Sequence, residues 1–319
     1  MGNSNGQSRA AFFKLAKSKY KRCLAPGWKC EKETIRAHSV QNSGVFDLLS
    51  RNGHVVGIKQ NLFIERPPEV EFSEIGRNRA STFTGFCGTH DTEIFRPIDT
   101  NVIDPSNPEH LFLVAYRSAA REMHANLESA TRIQAAYQKR VSDGLDPKDE
   151  PSPAGLLAVQ HMLKSFFMYQ YMYKLDEAYL KKNYELLKNK VFQFTNQPPV
   201  LAASSLFSLD DVEKDEDGWV NVILNIFPIS PEASVCIISY LFEDASKIEA
   251  ELERAFSGTG DYQKYELSKL LLNYSDNFYI APRHFEAWPA DKVRVIRDHY
   301  AATILSGNIQ EENQHFYLF

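Results

Sequence analysis

The chain has 319 residues, 43% hydrophobic and 24% charged, an ordinary globular composition long enough to bury a full core and to divide into more than one domain. A formal net charge of -5 excludes a basic coat over the whole surface, so any contact with nucleic acid must come from a local patch. Four cysteines are too few for a disulfide scaffold, and no run approaches the roughly 20 apolar residues of a membrane helix, so the expectation is a soluble cytoplasmic protein with no membrane partner.

Residues 1 to about 9 are small and polar. From Arg9 to Arg36 the chain carries nine basic residues against two acidic ones, Glu31 and Glu33. Within this basic segment Ala10 to Tyr20 has the spacing of a short helix, with Phe12, Phe13, Leu15 and Ala16 toward a core. Residues 34 to 105 are short and turn-rich: a strand over Thr34 to Val40, a hairpin turn at Asn52-Gly53, then the apolar residues Val55, Val56 and Ile58. Leu111, Leu113, Val114, Ala119, Met123, Leu127 and Ile133 then recur at helical spacing from Glu109 to about Val141.

Ser152-Pro153, an N-cap followed by proline at the first helical position, opens a second long helix that runs through Leu175 and as far as Lys190 at its limit. Its Phe, Tyr and Met residues cover more than one face, the composition of a helix buried between layers. Strands are expected over Trp219 to Phe227 and Ser234 to Leu241. Helices are expected over Ala245 to Phe256, Gln263 to Leu272 and Ala290 to Leu305. The acidic run from Asp210 to Asp217 fails as a calcium loop, because Leu224 stands where a bidentate Glu belongs. The whole reads as an α+β protein: a zinc-binding module over 1–107 with a ββα-like core, a helical region over 108–197, and a C-terminal α+β domain over 198–319.

The chemistry concentrates in the first third. Cys23 and Cys30 flank Pro26-Gly27, which can turn both thiolates toward one point, and Cys87 and His90 form a Cys-x-x-His pair at the start of a helix near Gly88. Together they make a closed Cys3His set, the donor chemistry of a structural zinc ion, and thiolates favour zinc over magnesium or calcium.

Ile35-Arg36-Ala37-His38-Ser39-Val40 and Gly85-Phe86-Cys87-Gly88-Thr89-His90-Asp91 together resemble the zinc-bearing HNH, or ββα-metal, nucleases over about 75 residues. In that family an Ala-His strand supplies a general base and a Cys-x-x-Cys-His helix start supplies metal ligands. The resemblance implies an endonuclease of nucleic acid, DNA or RNA, acting in genome defence. His38 would be its base, Asp91 the anchor of a catalytic Mg2+ or Mn2+, and Arg36, Arg77 and Arg79 its phosphate-binding residues. The gap between His38 and Cys87 is longer than in that pattern, Ala37 supplies no acidic ligand, and no residue stands clearly at the usual asparagine position. Simpler roles stay open: His38 as a zinc ligand or a hydrogen-bonded core residue, Asp91 as a carboxylate at the positive end of a helix. The alternative function is a non-catalytic zinc-binding protein that recognises nucleic acid or a protein partner.

Two further histidines invite attention. Arg117-x6-His124 resembles the spacing of HEPN ribonucleases, although an exposed Arg and His on an amphipathic helix explain it more simply. His284 sits among Phe285 and Trp288, where packing explains the aromatic residues equally well.

Overall fold

The computed structural model describes residues 20–61, 69–210, 219–258, 260–306 and 312–319. It is a mixed α+β protein. The Ala10 to Tyr20 helix and most of the acidic run lie outside the described residues. Contacts group the chain into two compact units, each built from separate stretches: one from residues 38–82, 94–118 and 184–319, the other from residues up to 37, 83–93 and 119–183. Residues 1–107, expected as one module, therefore contribute to both.

The larger unit is organised by a seven-stranded sheet. In chain order its strands are β2 (His54–Asn61), β3 (Glu69–Gly76), β5 (Leu187–Thr195), β6 (Leu201–Asp210), β7 (Trp219–Ser230), β8 (Ala233–Leu241) and β9 (Phe278–Ile280), in spatial order β3-β2-β9-β6-β7-β8-β5. Every neighbouring pair is antiparallel. Asn52 (φ 52°) and Gly53 (φ 74°) both occupy the left-handed region, and Arg51 and His54 exchange backbone bonds of 3.0 Å. This is the two-residue turn whose twist suits a hairpin, and it leads the chain into β2.

Val220, Val222, Leu224 and Ile226 alternate along β7 toward one face. There they join Cys236, Ile238 and Tyr240 of β8 in a core completed by Ile248 and Leu252 of α5 (Ala245–Ala255), Leu267 and Leu271 of α6 (Asp261–Tyr274), and Ile296 of α8 (Ala290–Ser306). The short helices α1 (Val45–Leu49) and α7 (Pro282–Glu286) belong to the same unit. Ser118 joins Ser204 and Asn225 at 2.8 Å each, satisfying polar groups that would otherwise be costly to bury.

The smaller unit contains the later part of α3 (Pro108–Ser142) and all of α4 (Pro153–Lys181), which pack as a helical hairpin. Ser152 caps α4 by accepting from Gly155 N at 3.1 Å, Pro153 follows at the first helical position, and Lys182 ends the helix at φ 54°. Ser165 Oγ donates to Asn126 O at 3.1 Å, and Ser129 Oγ lies 3.1 Å from His161 Nδ1 across the hairpin. The expectation that α4 is buried between layers needs correction: Ala158, Met168, Met172 and Leu175 are buried, while Leu156, Leu163, Phe166 and Tyr173 are exposed. Among the described residues no helix is long and apolar enough to cross a membrane.

Candidate metal centre

The ligand-bearing stretches are stitched together before any metal is considered. Leu24 N donates to Gly85 O at 2.7 Å, Ile35 N donates to Phe86 O at 2.8 Å, and Thr34 forms a β-bridge with Cys87. Leu24 and Phe86, both fully buried, anchor the two stretches. Between the first two cysteines, Trp28 N donates to Ala25 O at 2.9 Å around Pro26 and Gly27, and Gly27 takes φ 82°. Proline followed by a positive-φ glycine suits a type II turn, which reverses the chain so that a six-residue spacer returns Cys30 beside Cys23. Cys87 directly precedes α2 (Gly88–Asp99), and one helical turn brings His90 round to the same side.

Cys23, Cys30, Cys87 and His90 converge with all four donor atoms within 4.8 Å of one another. Cys30 Sγ lies 3.8 Å from Cys87 Sγ, and His90 Nδ1 lies 3.4 Å from Cys23 Sγ and 3.5 Å from Cys87 Sγ. Ordinary zinc bond lengths give tetrahedral edges of about 3.8 Å between sulfurs and about 3.5 Å between sulfur and nitrogen, and these three separations match them. The donor set fits a structural zinc, with His90 ligating through Nδ1. Four protein ligands would close the coordination sphere of such an ion and leave no position for substrate or water.

Backbone amides complete the site. Cys87 N donates to Cys23 Sγ at 3.4 Å and His90 N to Cys87 Sγ at 3.5 Å, offsetting the negative charge of three thiolates. Without a cation, burial pushes the Cys23 thiol up to about 11. At Cys87 burial also acts upward, but hydrogen bonds from the His90 backbone, the neighbouring thiols and the Thr89 backbone outweigh it and leave the thiol below its ordinary value. A bound cation displaces such protons, so metal affinity is coupled to proton release.

The spacer is also tied into the helical hairpin. Trp28 Nε1 donates to Asp176 Oδ2 at 3.2 Å, and its indole meets the Tyr169 ring edge-on at 5.1 Å. Sequence reasoning passed over Trp28; an aromatic residue placed between two candidate ligands was the available signal. Lys32 Nζ, from the same segment, donates to Thr89 Oγ1 at 3.1 Å beside the second ligand pair.

The other residues singled out in the sequence are distributed as follows. His38 lies on β1 (Ala37–His38), which pairs with β4 (Thr82–Phe83). Its Nδ1 is 3.0 Å from Ala80 O, and since a carbonyl only accepts, Nδ1 carries the proton and Nε2 the lone pair. Burial holds this imidazole below its ordinary pKa, and the charged groups acting on it are Arg117 and Asp99. Asp91 stands in the first turn of α2, its N–H donating to Cys87 O at 2.9 Å, where a carboxylate complements the helix dipole. His38 and Asp91 belong to different compact units, as do Arg36 and the pair Arg77 and Arg79. Arg36 and Arg79 are exposed, whereas Arg77 is ion-paired with Asp47.

Arg117 and His124 are not the exposed pair expected. Arg117 is buried, forks onto Asp99 at 2.8 and 2.6 Å and lies 4.0 Å over the Phe95 ring. His124 is buried, with Nε2 2.8 Å from Tyr20 O and 3.1 Å from Thr84 Oγ1. His284, half-buried in the sheet unit, has Nε2 2.9 Å from Leu318 O, consistent with packing. No family model, curated protein or solved structure matches the chain.

Proposed function

We propose that the protein is a zinc-stapled nucleic-acid-binding protein in which the metal builds the binding surface and takes no part in chemistry. The observation that supports this reading is the closed Cys3His geometry carried by a basic segment. Lys21, Arg22, Lys29, Lys32 and Arg36 are all exposed on the stretch that holds the first two cysteines. Fixing that stretch by a metal, two backbone hydrogen bonds and Trp28 lowers the entropy cost of presenting its cations to phosphates. Thiolate ligands need a reducing compartment, which favours the cytoplasm.

A second reading, an HNH-like endonuclease, draws on the chain order β1, β4, α2, with Cys87 and His90 at the start of α2, and on the lowered pKa of His38. In that reading His38 would be a general base and Asp91 a ligand of Mg2+ or Mn2+, which would supply Lewis-acid chemistry.

Fluorescence anisotropy with DNA and RNA oligonucleotides at roughly 50 and 200 mM salt tests the first reading. The K29A/K32A/R36A variant is expected to bind at least tenfold more weakly, with a shallower salt dependence and unchanged zinc content. Absence of binding at the lower salt overturns the proposal. Incubation with plasmid and RNA in Mg2+ or Mn2+ separates the second reading: cleavage lost in both His38→Ala and Asp91→Ala, with zinc retained, makes the protein an enzyme.

A further inference from the structure

Helix α4 carries two apolar seams. One contains Ala158, Ser165, Met168, Met172 and Leu175, is buried, and faces α3 within the smaller unit. The other contains Leu156, Val159, Leu163, Phe166, Tyr173 and Leu180, spaced at alternating intervals of three and four with Gln170 and Glu177 at the two remaining positions. That is a heptad seam. It is open: Leu156 is 58% exposed, Phe166 53%, Tyr173 54% and Leu180 61%. Met162 and Tyr169 flank it and are exposed as well.

We propose that this seam is a homodimer interface, in which α4 of a second copy packs antiparallel against it and the two α3–α4 hairpins form an intermolecular helical bundle. Three observations select a second copy as the occupant. The exposed apolar residues of this face amount to an area on the order of 800 Å2, above the roughly 300–600 Å2 of the largest patch on a typical monomer and comparable to the roughly 800 Å2 per partner of a stable interface.

Chemically, Lys164 is the one charged side chain, His aside, between Pro153 and Tyr173, so this stretch of the helix offers little to a charged partner and is rich in the Phe, Tyr and Met that mark interface cores, while Glu177 farther along the seam is paired with Lys181. Geometrically, a twofold axis near Met168 sets the Leu156 end of one helix against the Leu180 end of the other, Leu163 against Tyr173, Phe166 against Gln170, and Val159 against Glu177, whose carboxylate is held by Lys181 at 2.6 Å. Antiparallel helices also oppose their dipoles favourably. An isologous contact of this kind closes at two copies and leaves no open end for further growth.

The test uses the full zinc-loaded chain. Sedimentation equilibrium from roughly 1 to 50 µM is expected to give twice the chain mass for wild type. The L163E/F166E variant is expected to be monomeric over the same range, with zinc content and circular dichroism unchanged. Tyr262→Glu, at an exposed site on α6, should remain dimeric. Gln170→Cys, close to the proposed axis, should give a covalent dimer with a short bismaleimide. A monomeric wild type overturns the proposal, as does a seam variant that dimerises like wild type. Sedimentation of a monomeric wild type with zwitterionic or anionic vesicles would overturn it in favour of a lipid surface.

Discussion

Cys23 shows how much one side chain can carry. Its thiol is fully buried, accepts the Cys87 N–H, and lies against His90, so it joins the two halves of the metal site. Cys236 is equally buried, but among Ile226, Leu224 and Ile238, where burial alone raises its pKa and no metal-binding partner faces it in the described cluster. Composition cannot separate these two cysteines; their surroundings do. Cys23→Ser is expected to reduce zinc from about one ion per chain to a small fraction of that, because serine is a poor soft-metal ligand. Cys236→Ser should keep its zinc and lose stability through a buried hydroxyl. Atomic emission on both purified variants checks this, and equal zinc in the two would remove Cys23 from the site.

At the scale of elements, α4 is the clearest match between local sequence and structure. Its start at Ser152-Pro153 follows from side-chain chemistry that needs no tertiary context: a hydroxyl accepts an orphan N–H, and proline fills a position that makes no helical bond. Ser152→Ala should therefore cost about 1 kcal/mol, read as a lowered urea midpoint with an unchanged slope. The Asn52-Gly53 turn, the start of α2 beside Cys87, and the strands β7 and β8 were legible for the same local reasons.

The end of α4 was less so. The helix stops at Lys181 because Lys182 takes a left-handed conformation, and the residues that might have extended it to Lys190 enter β5. There Leu187 pairs with Leu241, and Lys188 reaches Glu249 at 2.9 Å. β5 is an edge strand with mixed polarity, so its sequence carries little strand signal of its own.

At the scale of the molecule, an ion held by Cys23, Cys30, Cys87 and His90 would cross-link segments of the smaller unit, which Trp28 also ties to Asp176. Metal binding there would then be part of that unit's folding free energy. Removing zinc with a strong chelator should raise hydrogen exchange in residues 20–36 and 83–93 and toward the C-terminal end of α4. The β6–β7–β8 strands, held by their own ladders and core, should keep their protection. Mass spectrometry of peptic fragments resolves the two regions, and uniform loss across both would show that the ion holds no particular part of the fold.

The sequence by itself determined what depends on neighbours in the chain: helix starts, the hairpin turn, the alternation of β7, and the residue types able to hold zinc. Only the tertiary structure decided what depends on distant segments meeting. It drew β2 and β3 into one sheet with strands more than a hundred residues later, and it closed Cys23, Cys30, Cys87 and His90 around one point. It also buried Arg117 and His124, and among the described residues it leaves one face of α4 exposed. Periodicity reports that a face is apolar, but only the packed chain reveals whether the molecule has anything of its own to cover it.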